Sequence, residues 1–210
     1  MSINSRNNDG SLVRFLALGD SYTIGEAVDE RESWPWVVTV RLRDEGLDVA
    51  DPRIIATTGW TTRDLDAAIT EAAPEGPFQL VTLLIGVNNQ YQGLGLEEYR
   101  EQFANLLDRA VALAGGDLRR VIVISVPDWG AAPHAEGRDR VAIAEAIDAF
   151  NSVARQAASD RGCAFVEVTD LSRLAMGRLD LVADDGLHPS GAMYALWADR
   201  ILPVLRDALS

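Results

Sequence analysis

The chain of 210 residues holds one cysteine, Cys163, and two histidines, His134 and His188. A single cysteine excludes an intrachain disulfide. Its place in the apolar run Cys163-Ala164-Phe165-Val166 marks it as a small core residue rather than a nucleophile. Two histidines on separate segments, neither with a close second partner, argue against a zinc site, and no metal is expected. Basic residues are scarce too, 19 against 32 acidic ones, for a formal charge of −13. That field repels nucleic acid and anionic membrane surfaces, so neither is an expected partner, and a heavily anionic substrate would need a local basic patch. No stretch approaches the roughly 18 apolar residues of a membrane span. The start, Met1 to Gly10, is polar and rich in Asn and Ser. It lacks the apolar segment of a signal peptide, which predicts a cytoplasmic protein unless the chain is the processed form of a secreted one.

Apolar residues make up 48% of the chain and charged residues 24%, the balance of a globular protein with a sizeable core. Residues 1–11 read as a flexible polar leader and residues 12–210 as one domain, since single cores serve chains up to roughly 250 residues. Short β-branched runs predict strands over Val13 to Leu18, Ile54 to Ala56, Leu80 to Ile85, Val121 to Val126 and Ala164 to Val168. Between them apolar residues recur at helical spacing. Tyr99, Phe103, Leu106, Ala110 and Leu113 mark one face, and Ile143, Ile147, Phe150 and Ala154 another. Ser33 and Thr61 are expected N-caps, and Gly115-Gly116 an expected stop. A last helix is expected from near Ser190, with Met193, Trp197 and Ile201 on one side, kinked or ended at Pro203. Apolar strands alternating with helices predict a parallel sheet covered on both faces, with ligands bound beyond the carboxyl ends of the strands.

Four polar segments fall at that edge. The first strand runs into Gly19-Asp20-Ser21-Tyr22, the second into Thr57-Thr58-Gly59-Trp60, and the third into Gly86-Val87-Asn88-Asn89. Asp185-Gly186-Leu187-His188-Pro189 precedes the last helix. Ester cleavage needs a nucleophile, a base, a group to orient the base, and donors for the oxyanion. Ser21 supplies a hydroxyl at a sharp turn, His188 a base, and Asp185 a carboxylate three residues away, within reach of the imidazole. Donors are available from the Ser21 backbone N–H, the Gly59 backbone N–H and the Asn88 side chain. Taken singly, each has a plainer reading, as a turn, a positive-φ glycine or a helix cap. Their conjunction at the strand ends, in workable order, is what points to catalysis. Tyr22, Trp60 and Asn89 stand beside these groups and are the expected substrate contacts, with Trp60 as an apolar wall. The segment from Asn89 to Gly93 is either a second wall or an ordinary helix-leading loop. His134, in the loop after the fourth strand, is expected to be a solvated loop residue.

On these residues the chain resembles the GDSL-type lipases and esterases, the SGNH hydrolases named for Ser, Gly, Asn and His. Gly19-Asp20-Ser21 is similar to the first block of that family, Gly59 to the second, Gly86-Val87-Asn88 to the third, and Asp185 to His188 to the fourth. The resemblance implies a flavodoxin-like three-layer α/β/α sandwich around a central parallel five-stranded sheet. It also implies a Ser21–His188–Asp185 triad with an oxyanion hole of Ser21, Gly59 and Asn88. Two positions depart from the usual pattern, Trp60 and Asn89, where many members carry Asp. The absence of a G-x-S-x-G elbow separates the chain from the α/β-hydrolases.

The expected function is a serine esterase acting on carboxylic esters of small acyl groups or lipids, or on thioesters. It forms an acyl-enzyme and uses no metal or organic cofactor. The expected partner is a small-molecule ester; nothing in the sequence reports the oligomeric state. Two other readings stand beside it. A flavodoxin-like module could bind a phosphate or flavin at Gly19 to Gly25, although such a site has no need of Asp185-x-x-His188. An acyltransferase could use the same fold.

Overall fold

The computed structural model describes residues 12–210, so the expected leader over 1–11 lies outside the described residues. Five strands form: β1 Phe15–Asp20, β2 Arg53–Thr57, β3 Leu80–Leu84, β4 Val121–Ile124 and β5 Ala164–Val166. They pair in parallel in the order β2-β1-β3-β4-β5. The helices are α1 Ser21–Ile24, α2 Trp34–Asp44, α3 Thr62–Ala72, α4 Val87–Tyr91, α5 Leu96–Leu113, α6 Arg140–Arg161, α7 Thr169–Ser172 and α8 Gly191–Ala208.

Successive strand residues point to opposite faces, and both faces are covered. Phe15, Ala17, Leu80, Leu84, Ile122 and Ile124 pack with α2 and α8 through Trp34, Val38, Leu42, Trp197, Ile201 and Leu205. Leu16, Leu18, Val81, Leu83, Val121 and Val123 face α3, α5 and α6 through Leu65, Ile69, Phe103, Leu106 and Ala154. Burying each large side chain contributes about 1.5–3 kcal/mol, and this gain on two faces is why the strands read as unbroken apolar runs. The result is the expected α/β/α sandwich. Among the described residues, no helix is long and apolar enough to cross a membrane.

Capping chemistry sets several helix ends. Thr61 and Asp64 form a reciprocal capping box at the start of α3. Ser190 accepts the Met193 N–H at the start of α8. Ser33 precedes α2 as expected, but its hydroxyl donates to the Glu30 carbonyl instead of capping the helix. Gly115 and Gly116, both at positive φ, follow the end of α5. Of the two outcomes expected at Pro203, a kink or an end, the end does not occur: α8 continues to Ala208. Buried Ile201, Leu202 and Leu205 anchor the helix on both sides of the proline, offsetting its lost hydrogen bond.

The junction between β1 and α1 sets the site. β1 extends two residues beyond the expected Leu18, so Gly19 and Asp20 are strand residues registered against Ala56 and Thr57 of β2. A Cβ on Gly19 would collide with the Thr23 hydroxyl and lie 2.6 Å from the Leu84 carbonyl oxygen, which is sheet backbone. The position therefore requires glycine. Asp20 accepts the Tyr22 N–H at 3.0 Å and so caps α1. Its other carboxylate oxygen is fully buried and meets no hydrogen-bond partner among the described residues. Burial outweighs that one hydrogen bond and pushes the carboxyl up to about 7.

Two outcomes follow for stability. Gly19→Ala lowers the thermal midpoint sharply, because neither the carbonyl nor the turn can retreat; an unchanged midpoint contradicts the packing described. Asp20 has a folded-state pKa above its unfolded value. Its contribution is therefore fully present below about pH 4 and is lost as pH rises through about 7. Asp20→Asn keeps the cap acceptor without the ionisation. Its melting temperature should exceed wild type by roughly 5 °C or more at pH 8 and match it near pH 4. A gap independent of pH would show that Asp20 is not held in its neutral form.

Candidate active site

Because β1 lies between β2 and β3, the segments leaving those two strands stand on either side of Ser21. Ser21 is the first residue of α1 and is 4% exposed. It lines an open hollow of about 440 Å³ together with Thr58 and Gly59 from the β2 loop, Asn88 from α4, and His188. All five residues expected to perform chemistry except Asp185 line this one hollow, and Asp185 stands directly behind His188.

His188 is presented by a closed loop ahead of α8. An antiparallel bridge between Val182 and Pro189 and a 2.8 Å bond from the Ala183 N–H to the His188 carbonyl pinch the loop at its base. Within it, one oxygen of Asp185 accepts the backbone N–H groups of Leu187 and His188, each at 2.9 Å. The other oxygen lies 2.5 Å from His188 Nδ1. Burial alone would push the Asp185 carboxyl up. The bonds from the imidazole and the two N–H groups outweigh it and hold the group below the usual carboxylate range. Gly186 turns at φ +72°, and this lets three residues bring the carboxylate back to the ring. The Tyr22 ring packs 5.1 Å from the imidazole and supports it from below. The hydroxyl of Ser21 and the imidazole share the hollow without a direct hydrogen bond between them in this structure. Such bonds are often loose before substrate closes them.

Gly59 sits at φ +84°, and a Cβ there would meet nothing within 4 Å. The glycine is thus required by its backbone conformation, while the space above it stays open. Its N–H donates to no protein acceptor among the described residues. Asn88 donates one amide hydrogen to the Trp60 carbonyl at 2.9 Å, which aims the amide and leaves its second hydrogen uncommitted. Gly86, before α4, has φ +132°, and a Cβ there would lie 2.6 Å from the Tyr99 ring, so this turn too demands glycine.

Two of the three expected substrate contacts are elsewhere. The half-buried Trp60 side chain packs against the core cluster to which α3 and α5 contribute and does not line the hollow. Asn89 is fully buried, accepting the Thr62 N–H at 3.0 Å and donating to the Thr62 hydroxyl at 2.7 Å. Its amide ties α4 to α3 and is wholly buried, so it does not reach the hollow. Tyr22 does line the hollow. The apolar walls come instead from Val87, Tyr91, Trp129 and Leu187. Tyr91 belongs to the segment that was expected to form either a wall or a loop; the segment is helical up to it. Trp129, from the loop after β4, was not singled out, although that loop's arrival at the same sheet edge was the available signal. His134 is exposed and outside the hollow, and its N–H donates to the Gly186 carbonyl at 2.9 Å.

The model of the GDSL-like lipase/acylhydrolase family matches residues 17–196. No curated protein sequence matches the chain. Among solved structures, TesA superposes with a TM-score of 0.72 at 22% identity, covering 94% of this chain and 99% of its own. The psychrotrophic esterase EstA from Pseudoalteromonas sp. gives 0.67 at 19% identity, covering 93% and 98%. The acetylxylan esterase Axe2 from Geobacillus stearothermophilus gives 0.67 at 20% identity, covering 92% and 94%. Those likenesses establish the fold, and the family match over most of the length establishes the membership: the chain belongs to the GDSL-like lipase/acylhydrolase family and is an ester hydrolase.

Proposed function

We propose that the chain hydrolyses uncharged carboxylic esters or thioesters through an acyl-enzyme on Ser21. His188 is the base and acid, and Asp185 its orienting group. The observation that carries this reading is the 2.5 Å contact between Asp185 and His188 Nδ1, with the imidazole in the same hollow as Ser21. Asp185 selects the tautomer with hydrogen on Nδ1, leaving Nε2 bare to take the Ser21 proton. As Ser21 Oγ attacks the ester carbonyl, the Ser21 and Gly59 backbone N–H groups and the free Asn88 amide hydrogen receive the oxyanion. Imidazolium, stabilised by Asp185, then returns the proton to the leaving alcohol or thiol. Water repeats the two steps on the acyl-enzyme and regenerates the serine.

The charge of the site favours a neutral substrate. Glu26, which accepts the Thr58 hydroxyl, and Asp185 stand beside the hollow, in a chain with a net charge of −13. An anionic acyl group would meet like charge there.

Three measurements test the mechanism. Ser21→Ala should lower kcat/KM on a neutral nitrophenyl ester by about 10³ or more without changing the thermal midpoint; undiminished turnover would sink the proposal. Asn88→Ala should cost about 10² in kcat with little change in KM, since its hydrogen serves the oxyanion and not the ground state. Asp185, held below the usual carboxylate range, stays ionised across the working range. Asp185→Asn, which removes that charge and favours the wrong imidazole tautomer, should lower kcat by about 10³ to 10⁴; an undiminished kcat would contradict the assignment.

A further inference from the structure

Among the described residues, two side chains, Tyr91 and Trp129, line both the hollow that holds Ser21 and a second open groove, of about 630 Å³. That groove is completed by Gln90, Arg138 and the first turn of α6. The two rings therefore stand between the hollows as a partition. Their arrangement is braced. Tyr91 and Trp129 meet edge to face with centroids 5.1 Å apart. Trp129 Nε1 donates to Gln90 Oε1 at 2.8 Å, which fixes the indole to α4. The Arg138 guanidinium lies over both rings, 5.5 Å from Tyr91 and 5.3 Å from Trp129. Arg138 also donates to the Tyr91 hydroxyl at 3.4 Å, so its charge is shared between that oxygen and the ring faces. Trp129 is 5% exposed and part of the core, whereas Tyr91 is 47% exposed and can be removed with little loss of packing.

We infer that Tyr91 is a specificity-determining residue, the end wall that limits the length of the substrate's apolar chain. With the ring in place, an acyl or alkyl chain leaving the scissile ester towards α4 runs into the partition. Without it, the two hollows become one channel, and the added methylenes lie along Trp129 and Ile143. Each methylene gained or refused in an apolar site is worth about tenfold in kcat/KM at the least. This inference rests on the serine mechanism proposed above. It does not depend on which side of the ester carries the chain.

The test compares wild type, Tyr91→Ala, Tyr91→Phe and Arg138→Ala on two series. One is nitrophenyl esters from acetyl to dodecanoyl; the other is acetate esters of alcohols of rising length. Wild type and Tyr91→Phe should share one profile, declining beyond short chains, because the ring and not the hydroxyl forms the wall. In Tyr91→Ala, the octanoyl-to-acetyl ratio of kcat/KM, or the matching ratio in the alcohol series, should rise about tenfold or more. Arg138→Ala, which loosens the ring without deleting it, should shift the same ratio in the same direction by less, and it remains informative should Tyr91→Ala fail to fold. Unchanged ratios in both series for the folded variants would overturn the inference. Failure of the mechanism would look different: Ser21→Ala would retain turnover, or wild type would not be labelled on Ser21 by an alkyl phosphonate.

Discussion

The pairing of β1 with β2 on one side and β3 on the other is the constraint on which the active site depends. Thr58, Gly59, Val87 and Asn88, which stand around Ser21, are delivered by the ends of β2 and β3, and their spacing is the spacing of the ladder. Glycine at position 19 lets β1 come within contact distance of the Leu84 carbonyl and still turn immediately into α1. A parallel sheet ends all its strands at one edge. The order β2-β1-β3 therefore converts three distant stretches of sequence into neighbours about a single hydroxyl.

The edge is held by buried hydrogen bonds and not by apolar packing alone. Asn89 and Thr62 tie the β3 side to the β2 side directly behind Gly59 and Asn88. On the other flank, Asn151 clasps the backbone of Val126 through both its N–H and its carbonyl, at 2.8 and 3.0 Å. Ser125 accepts the Val168 N–H at 2.8 Å. Asp128 accepts the Gly130 N–H and the Arg173 guanidinium, each at 2.9 Å. These bonds set the loop that presents Trp129. Polar groups buried in this way are costly unless satisfied, and when satisfied they specify one arrangement. The turn after β1 departs from this rule: the Thr23 hydroxyl is buried without a partner among the described residues, and Asp20, directly beside Ser21, is a buried carboxyl with one oxygen unmatched. The fold accommodates it by keeping it protonated up to about pH 7.

Asp185 and His188 make a second, local unit. Everything that orients the imidazole except the Tyr22 ring lies within the few residues between Val182 and Pro189. The imidazole is thus preorganised by its own loop, and the tertiary structure has only to dock that loop against α1. In the proposed mechanism the work is divided accordingly, between a serine placed by the sheet and a base placed by a hairpin-like turn.

The sequence by itself determined the strands, the order of the polar segments and the identity of the groups able to perform chemistry. These follow from local periodicity, from glycines at obligatory turns and from the three-residue spacing of Asp185 and His188. It also carried the family likeness, spread over four blocks. Which neighbours of those groups face the substrate was decided only in three dimensions. Trp60 and Asn89 adjoin Gly59 and Asn88 in the chain, yet the turn after β2 lays the half-buried Trp60 against the core and the start of α4 buries Asn89 completely. Trp129, some forty residues away, closes the wall in their place. Adjacency along a chain fixes position but not direction, because on a short helix or tight turn one residue's step rotates a side chain by about 100°. Pro203 teaches the same lesson for a helix. Its local preference to interrupt is overridden by the packing of Ile201, Leu202 and Leu205 on the sheet, an interaction that no window of sequence contains.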